Sequence, residues 1–491
     1  MLSNKVKYFT VEHSIFAFIM IAGLIVFTSC EDTLLEENPK QVVAENFYNT
    51  ESEVETAVNA IYSPFNSTTL IGNYIVIVDN HTDWGFGRGS RGVLNDFQGL
   101  NTTWSNGVGS AWEMFYESIR NANLVLQNTT GESGDQNNFT ELRAEAKFLR
   151  AFNYFHLVRN WGGIPLRTVE NFGEKDVQRS SVEDVYELIL SDLTEAEQNL
   201  PTQQSQIGRP TTYAAKTMLA DVYLHLERYT DARDKAKDIM DANTFSLVPL
   251  STKEDFAQNI FGPDIESSSE EIFHIKFTRR NGLGNFMPFV VNHPSTGLYA
   301  QGGVFAHFSN ATLPFYKNWD DDDFRKQLWD IIDFGLGDST LVSRKFPDQN
   351  AAGVVGAGND QPMYRYAEVL FIFAEAAARV AGGPTQEAME ALNKVHRRAF
   401  GYDPSTASPV DFNVANYDLE LFIDLVVQER GYEFIFEGKR WFTLKRTNKA
   451  REQILKNRGI QMADRHFLWP LPNSEINFND AINEENQNPG Y

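Results

Sequence analysis

Between residues 78 and 92 the chain reads VDNHTDWGFGRGSRG. Asp83, Trp84, Phe86, Arg88 and Arg91 stand there among glycines that let the backbone bend. That mixture suits saccharide binding. A flat aromatic face stacks on the apolar face of a pyranose. Carboxylate, carboxamide and guanidinium groups, all planar, form paired hydrogen bonds with hydroxyls. Trp104 and Asn106, in NTTWSNG, extend the set. Tyr299, Phe305 and Trp319 join it from a second stretch rich in Gly, Asn, Pro and aromatics. For each ring the competing reading is ordinary loop packing.

Bond-breaking chemistry finds less support. The sequence carries no nucleophile elbow, no phosphate-cradling loop and no zinc spacing. Its strongest carboxylate column is Glu429, Glu433 and Glu437, spaced i, i+4, i+8 on one helix face. Three like charges in a column need partners, and Arg430, Arg440, Lys445 and Arg446 are near in sequence. A di-iron site would call for Glu-x-x-His pairs, which this block lacks, so the column reads as ion pairing between helices. Asp320 to Asp323, in WDDDDFRKQLWD, offer oxygens for a calcium ion. The alternative is a helix start, where the dipole favours negative charge. No other cofactor or metal is expected.

These residues need a rigid frame, and the frame reads as helical. Thr50 and Glu53 form a capping box, followed by Val54, Ala57, Val58 and Ile61 at helical spacing. Trp112, Phe115, Ile119, Ala122 and Leu126 line a second helix. A third, aromatic-rich helix runs from about Thr140 to Gly162-Gly163 and Pro165, which stop it. In residues 211–240, Leu219, Ala220, Tyr223 and Ala232 fall at the spacing of a tetratricopeptide repeat. A degenerate copy follows from residue 364, with Ala374, Ala377 and Ala378 before a Gly-Gly-Pro hinge and Ala388 and Leu392 after it. Stacked helical pairs of this kind make a curved scaffold. Residues 245–360 break the pattern. There EIFHIKFTRR alternates Phe273, Ile275 and Phe277 against His274, Lys276 and Thr278, the pattern of a half-buried strand.

Cys30 is the single cysteine in 491 residues. It follows Lys5, Lys7 and an uncharged run from Ile15 to Phe27, too short for the roughly 20 residues of a spanning helix. Thr28 and Ser29 are small enough for a signal peptidase. Residues 1–29 therefore read as a lipoprotein signal peptide and Cys30 as its lipidation site, although Phe27 stands where leucine is usual. Residues 30–45 form an acidic tether, with Glu31 and Asp32 directly after the anchor. The net charge of the whole chain is -23, which excludes a nucleic-acid partner and adsorption to anionic lipid.

Six strings in order resemble one family, the SusD/RagB lipoproteins of the bacterial outer surface: WEMFYESIRNAN (112–123), AEAKFLRAFNYFHLVRNWGGIPL (144–166), GRPTTYAAKTMLADVYLHLERYTDA (208–232), YRYAEVLFIFAEAA (364–377), QERGYEFIFEGKRWFTLKR (428–446) and QNPGY (487–491). Thr443 departs from the aspartate usual in RWFDL, which implies the loss of one local polar contact. The resemblance implies an all-α fold: a tetratricopeptide-like helical-pair superhelix with long irregular loops and minor β elements. It implies a single domain over 46–491, with helical pairs at about 46–244 and 361–446 and a loop-rich ligand-binding part at about 245–360. It further implies an outer-membrane, lipid-anchored, outward-facing protein that binds oligosaccharide without cleaving it. Its partner would be a SusC-like TonB-dependent transporter. Peptide capture, as in RagB-type relatives, is the alternative. A surface glycosidase, which would need two carboxylates about 5–10 Å apart, is the more distant one.

Overall fold

The structure, a computed structural model, describes residues 47–95, 97, 105–129 and 139–491. Asn49–Tyr491 forms one unit. Its long helices are α1 (Glu51–Tyr62), α2 (Ser105–Asn128), α3 (Thr140–Trp161), α4 (Val182–Asn199), α5 (Thr212–His225) and α6 (Tyr229–Asp241). After the loop-rich part come α7 (Tyr366–Ala381), α8 (Gln386–Ala399), α9 (Leu419–Glu433), α10 (Arg440–Arg446) and α11 (Ala450–Arg458). Each helix from α1 to α7 packs on its successor. The chain leaves this stack after α6 and returns with α7 laid directly on α6.

Local signals explain the boundaries. Glu53 N donates to Thr50 Oγ1 at 3.3 Å and Thr50 N donates back to Glu53 Oε2 at 2.9 Å, closing the α1 capping box. Val54, Val58 and Ile61 are fully buried. Gly162, with φ near 74°, ends α3 as its stop signal requires. Small residues sit where helices meet: Ala220, Ala232, Ala374 and Ala388 are all buried. Among the described residues no helix is long and apolar enough to cross a membrane.

Six short strands, β1 (Phe86–Gly87), β2 (Glu271–Ile275), β3 (His307–Asn310), β4 (Trp329–Ile331), β5 (Thr340–Ser343) and β6 (Gln361–Arg365), make two sheets. The larger runs β1-β3-β5-β4 and the smaller is the antiparallel pair β2-β6. The half-buried reading of β2 is corrected: His274 is as buried as Phe273. Phe273 meets Phe148 and Phe152 of α3 edge-on at 5.0 and 5.8 Å, and β2 also packs against α5. With both faces covered, alternation in the sequence marks no exposed side.

The acid column is buried and paired. Glu429 and Glu433 end α9, whereas Glu437 lies beyond the helix. Arg325, from the loop-rich part, reaches Glu429 at 2.9 Å and Glu433 at 3.2 Å. Arg365, at the end of β6, binds Glu433 at 2.6 Å and Glu437 at 2.9 Å. Lys345 adds a 2.6 Å contact to Glu437, and Arg398 of α8 pairs with both Glu270 and Glu433. Burial raises the Glu429 pKa, but Arg325 and His396 outweigh it and bring it down to about 2. The cations that sequence proximity suggested pair elsewhere. Arg430 binds Glu368, Arg440 binds Asp83 and Arg446 binds Glu375, while Lys445 donates to the carbonyls of Arg159 and Phe467. Side chains one helical turn apart share a face, but a buried charge is met from the neighbouring element that covers that face. Removing one member of such a cluster strands the others and costs about 3–5 kcal/mol.

Candidate functional site

The glycine-rich segment 83–91 divides at Gly85. Asp83 is fully buried. Its Oδ1 and Oδ2 accept from Arg440 Nε and Nη2 at 2.9 and 2.8 Å, and Asn457 Nδ2 donates to Oδ2 at 3.0 Å. Trp84 is also fully buried, ringed by His307, Phe315, Trp329 and Phe436 at centroid distances of 5.2–6.4 Å. Neither offers a face to a ligand, so both are removed from the candidate site. Packing takes Trp84 because four rings converge on it, and Asp83 follows because two helices supply its donors.

Past Gly85 the chain surfaces. Phe86 opens β1 and pairs directly with Phe308 of β3, the rings stacked at 5.6 Å and 16°. Arg458 caps the Phe86 ring at 3.8 Å. Arg88 is exposed, with its guanidinium 3.9 Å above the Phe305 ring. Its backbone N–H donates to Ala306 O at 3.0 Å and its Nη1 to Val304 O at 3.3 Å. Arg91 turns back to bond Asn73 Oδ1.

Phe305 forms the centre of the surface cluster. Its ring meets Phe334 at 4.3 Å and His293 at 4.5 Å, and all three are half-exposed. Its φ of 39° is a left-handed backbone for a bulky side chain. Such conformations persist only where the surroundings enforce them, and they gather at functional sites. Here Phe305 N donates to Asn292 O at 3.0 Å, between Val304 N to Phe289 O and Ala306 N to Val290 O, each 2.8 Å. Burial and the nearby Arg88 lower the His293 pKa, so its imidazole is neutral at pH 7. The site thus presents a cation and several half-exposed rings in one surface cluster.

The other expected residues are placed differently. Tyr299 is buried, and its hydroxyl donates to the carbonyls of Gly353 at 2.9 Å and Val354 at 3.1 Å. Trp319 is buried too, stacked on Tyr432 at 4.1 Å and 6°, with Nε1 donating to Asp323 Oδ2 at 2.8 Å. Both are corrected to core residues. Trp104 lies outside the described residues, and of Asn106 only its place at the start of α2 is described. Within the aspartate run, Asp323 binds Arg325 and Asp321 binds Lys326 at 2.5 Å, so two of the four already have cationic partners. Sequence reading missed His293, Phe308 and Phe334. Phe334, in DFGLG, is followed by glycines at 335 and 337, a weaker form of the glycine setting around Phe86. Also missed was a trio with metal-ligand chemistry, Glu271, His274 and Asp360. The Lys276 ammonium binds Glu271 and Asp360 at 2.8 Å each, supplying the cation from the chain itself.

Comparison with known proteins follows this geometry. A family described as "Starch-binding associating with outer membrane" matches residues 33–224, and a second, "SusD family", matches residues 337–491. The SusD-like protein P2 of Formosa agariphila is 28% identical over 96% of this chain and 98% of its own. A SusD homolog from Bacteroides thetaiotaomicron superposes with a TM-score of 0.76 at 21% identity, over 91% of this chain and 98% of that one. Surface glycan-binding protein A from the same species, solved with laminarihexaose, gives a TM-score of 0.72 at 20% identity, over 88% of this chain and 98% of its own.

Proposed function

We propose, since this chain belongs to the SusD/RagB family, that it is a lipid-anchored surface protein that captures oligosaccharides. It then hands them to a SusC-like TonB-dependent transporter in the outer membrane. The observation that carries the capture step is the surface cluster of Arg88 over Phe305 with Phe334 and His293. Rings of this kind bind the C–H face of a pyranose, and the guanidinium supplies planar donors to its hydroxyls. The Phe305 backbone is fixed by its own and its neighbours' hydrogen bonds to 289–292, so little ordering cost is added on binding. An open surface of this kind releases its ligand readily, as delivery requires. Nothing in the step breaks a bond. The laminarihexaose held by the structural relative supports the ligand class, and the signal-like segment 1–29 directly before Cys30 supports the anchor.

The test is retention of soluble oligosaccharides by the purified protein in affinity electrophoresis over a panel of plant and algal glycans. The double variant Arg88→Ala, Phe305→Ala is expected to lose retention of glycans that the wild type holds. Unchanged retention of all of them would refute this placement of the site, and appearance of new reducing ends would refute the non-catalytic reading.

A further inference from the structure

A cavity of about 860 Å3 lies against the outward face of α2 and shares no residue with the Arg88 cluster. Three walls enclose it. Tyr116, Glu117 and Arg120 come from α2, Phe172 from the loop after α3, and Glu475 from the short helix Asn473–Phe478. We infer that this cavity is a second saccharide-binding site, for a neutral oligosaccharide.

The walls are pre-formed. Tyr154 Oη and Asn123 Nδ2 donate to Arg167 O at 2.7 and 2.8 Å, which fixes the loop carrying Phe172. Asn171 clamps the same loop, accepting from Thr168 N and donating to Leu166 O at 2.8 Å each. Glu475 is held by Trp112 Nε1 at 3.3 Å and Asn479 Nδ2 at 2.7 Å. Tyr116 spends its hydroxyl on Pro165 O at 2.8 Å, so its ring is what lines the space.

The remaining polar groups have capacity left over. Among the described residues Glu113 and Glu117 form no ion pair, and Arg120 bonds only its neighbour Asn121, at 3.4 Å. An apolar ligand would strand those groups without partners. An anion would meet three carboxylates. Arg120 and Arg167 nearly balance those carboxylates, which disfavours a polycation as well. A neutral molecule with apolar ring faces and dense hydroxyls satisfies both the aromatic wall and the polar rim. The size falls within the range of ligand pockets, about 300–1,000 Å3.

The test is calorimetric titration of neutral hexasaccharides (maltohexaose, cellohexaose, laminarihexaose, mannohexaose and xylohexaose) into three proteins. These are the full chain, the Arg88→Ala, Phe305→Ala variant and a Phe172→Ala, Glu117→Gln variant, with folding checked by circular dichroism. If Phe172→Ala disturbs the loop, Glu117→Gln alone serves. At least one hexasaccharide is expected to bind the Arg88 variant at one site per chain, and the cavity variant is expected to weaken that component at least tenfold. Hexasaccharides lost only from the Arg88 variant, and untouched in the cavity variant, would overturn this inference while leaving the first site standing. Failure of every hexasaccharide to bind the Arg88 variant would overturn it equally.

Discussion

Asp83-Trp84 and Phe86-Gly87-Arg88 are neighbours in sequence with the same blend of charge and aromatic ring, yet the first is wholly interior while the second rises from a half-buried Phe86 to an exposed Arg88. The difference lies in what faces each pair. Helices α10 and α11 supply Arg440 and Asn457 to Asp83, and four rings close over Trp84. Arg88 is met by the carbonyls of Val304 and Ala306 and by a single ring face. Residue type made both pairs fit for sugar binding, and neighbours distant in sequence decided which pair is free to do it.

The sharpest way to break this contrast is Trp84→Ala. Truncating a fully buried tryptophan is expected to cost about 3–5 kcal/mol, read as a lower denaturant midpoint. Glycan affinity per folded molecule should stay unchanged. Full stability with lost binding would return Trp84 to the site.

Next is acid, which attacks the interior alone. Glu429 has its pKa drawn down to about 2 from 4.5, so its folded form binds a proton less readily than its unfolded form. A depressed carboxylate contributes stability above pH 4.5 and loses it as pH falls toward 2, a difference of roughly 3 kcal/mol for this group. Thermal midpoints are expected to fall through that window. Binding at the Arg88 cluster should hold between pH 7 and 9, because His293 is already neutral there. A midpoint that is flat from pH 5 to 2 would remove the acid column from the stability argument.

How much of this was legible in the chain follows from the same contrast. The helices announce themselves through local signals: the Thr50–Glu53 box, the Gly162 stop and the small residues at Ala220 and Ala374 each act within a few positions. The acid column was legible as paired but not its partners, since Arg325, Arg365 and Arg398 arrive from elsewhere in the chain. At Thr443, where one lost polar contact was expected, the hydroxyl donates to Lys439 O at 3.2 Å. The same hydroxyl accepts from Arg430 Nε at 3.3 Å, and Arg430 Nη1 has no hydrogen-bond partner among the described residues. Burial of Trp84, Tyr299 and Trp319 was not legible, because a ring flanked by polar residues in a loop looks the same whether the loop folds inward or outward. Phe305, expected at the ligand surface, is half-exposed, and its neighbours arrive from elsewhere in the chain: His293 through the backbone bonds between 304–306 and 289–292, and Phe334 from the loop before β5.

A smaller effect is expected on the outer side. Arg88→Ala with Phe305→Ala should weaken glycan binding at that cluster by at least tenfold, about 1.4 kcal/mol, while the denaturant midpoint stays close to wild type. A large fall in stability would mean that the cluster is structural after all, and the contrast with Trp84 would disappear.

The finest test of the contrast compares the glycines at and just beyond the divide. A Cβ at Gly85 would lie 2.4 Å from Asp79 O and 3.0 Å from His307 Cε1, both buried, so Gly85→Ala must shift backbone. At Gly89, with φ of 62°, a Cβ would meet nothing within 4 Å. Gly89→Ala is therefore expected to cost only the left-handed backbone penalty, about 1–2 kcal/mol, and less wherever the exposed turn relaxes. Paired denaturant titrations of the two variants measure how abruptly the segment changes from interior to surface. Equal losses would mean that the turn after β1 is as constrained as the core beneath it, and that Arg88 is held in place more firmly than its exposure implies.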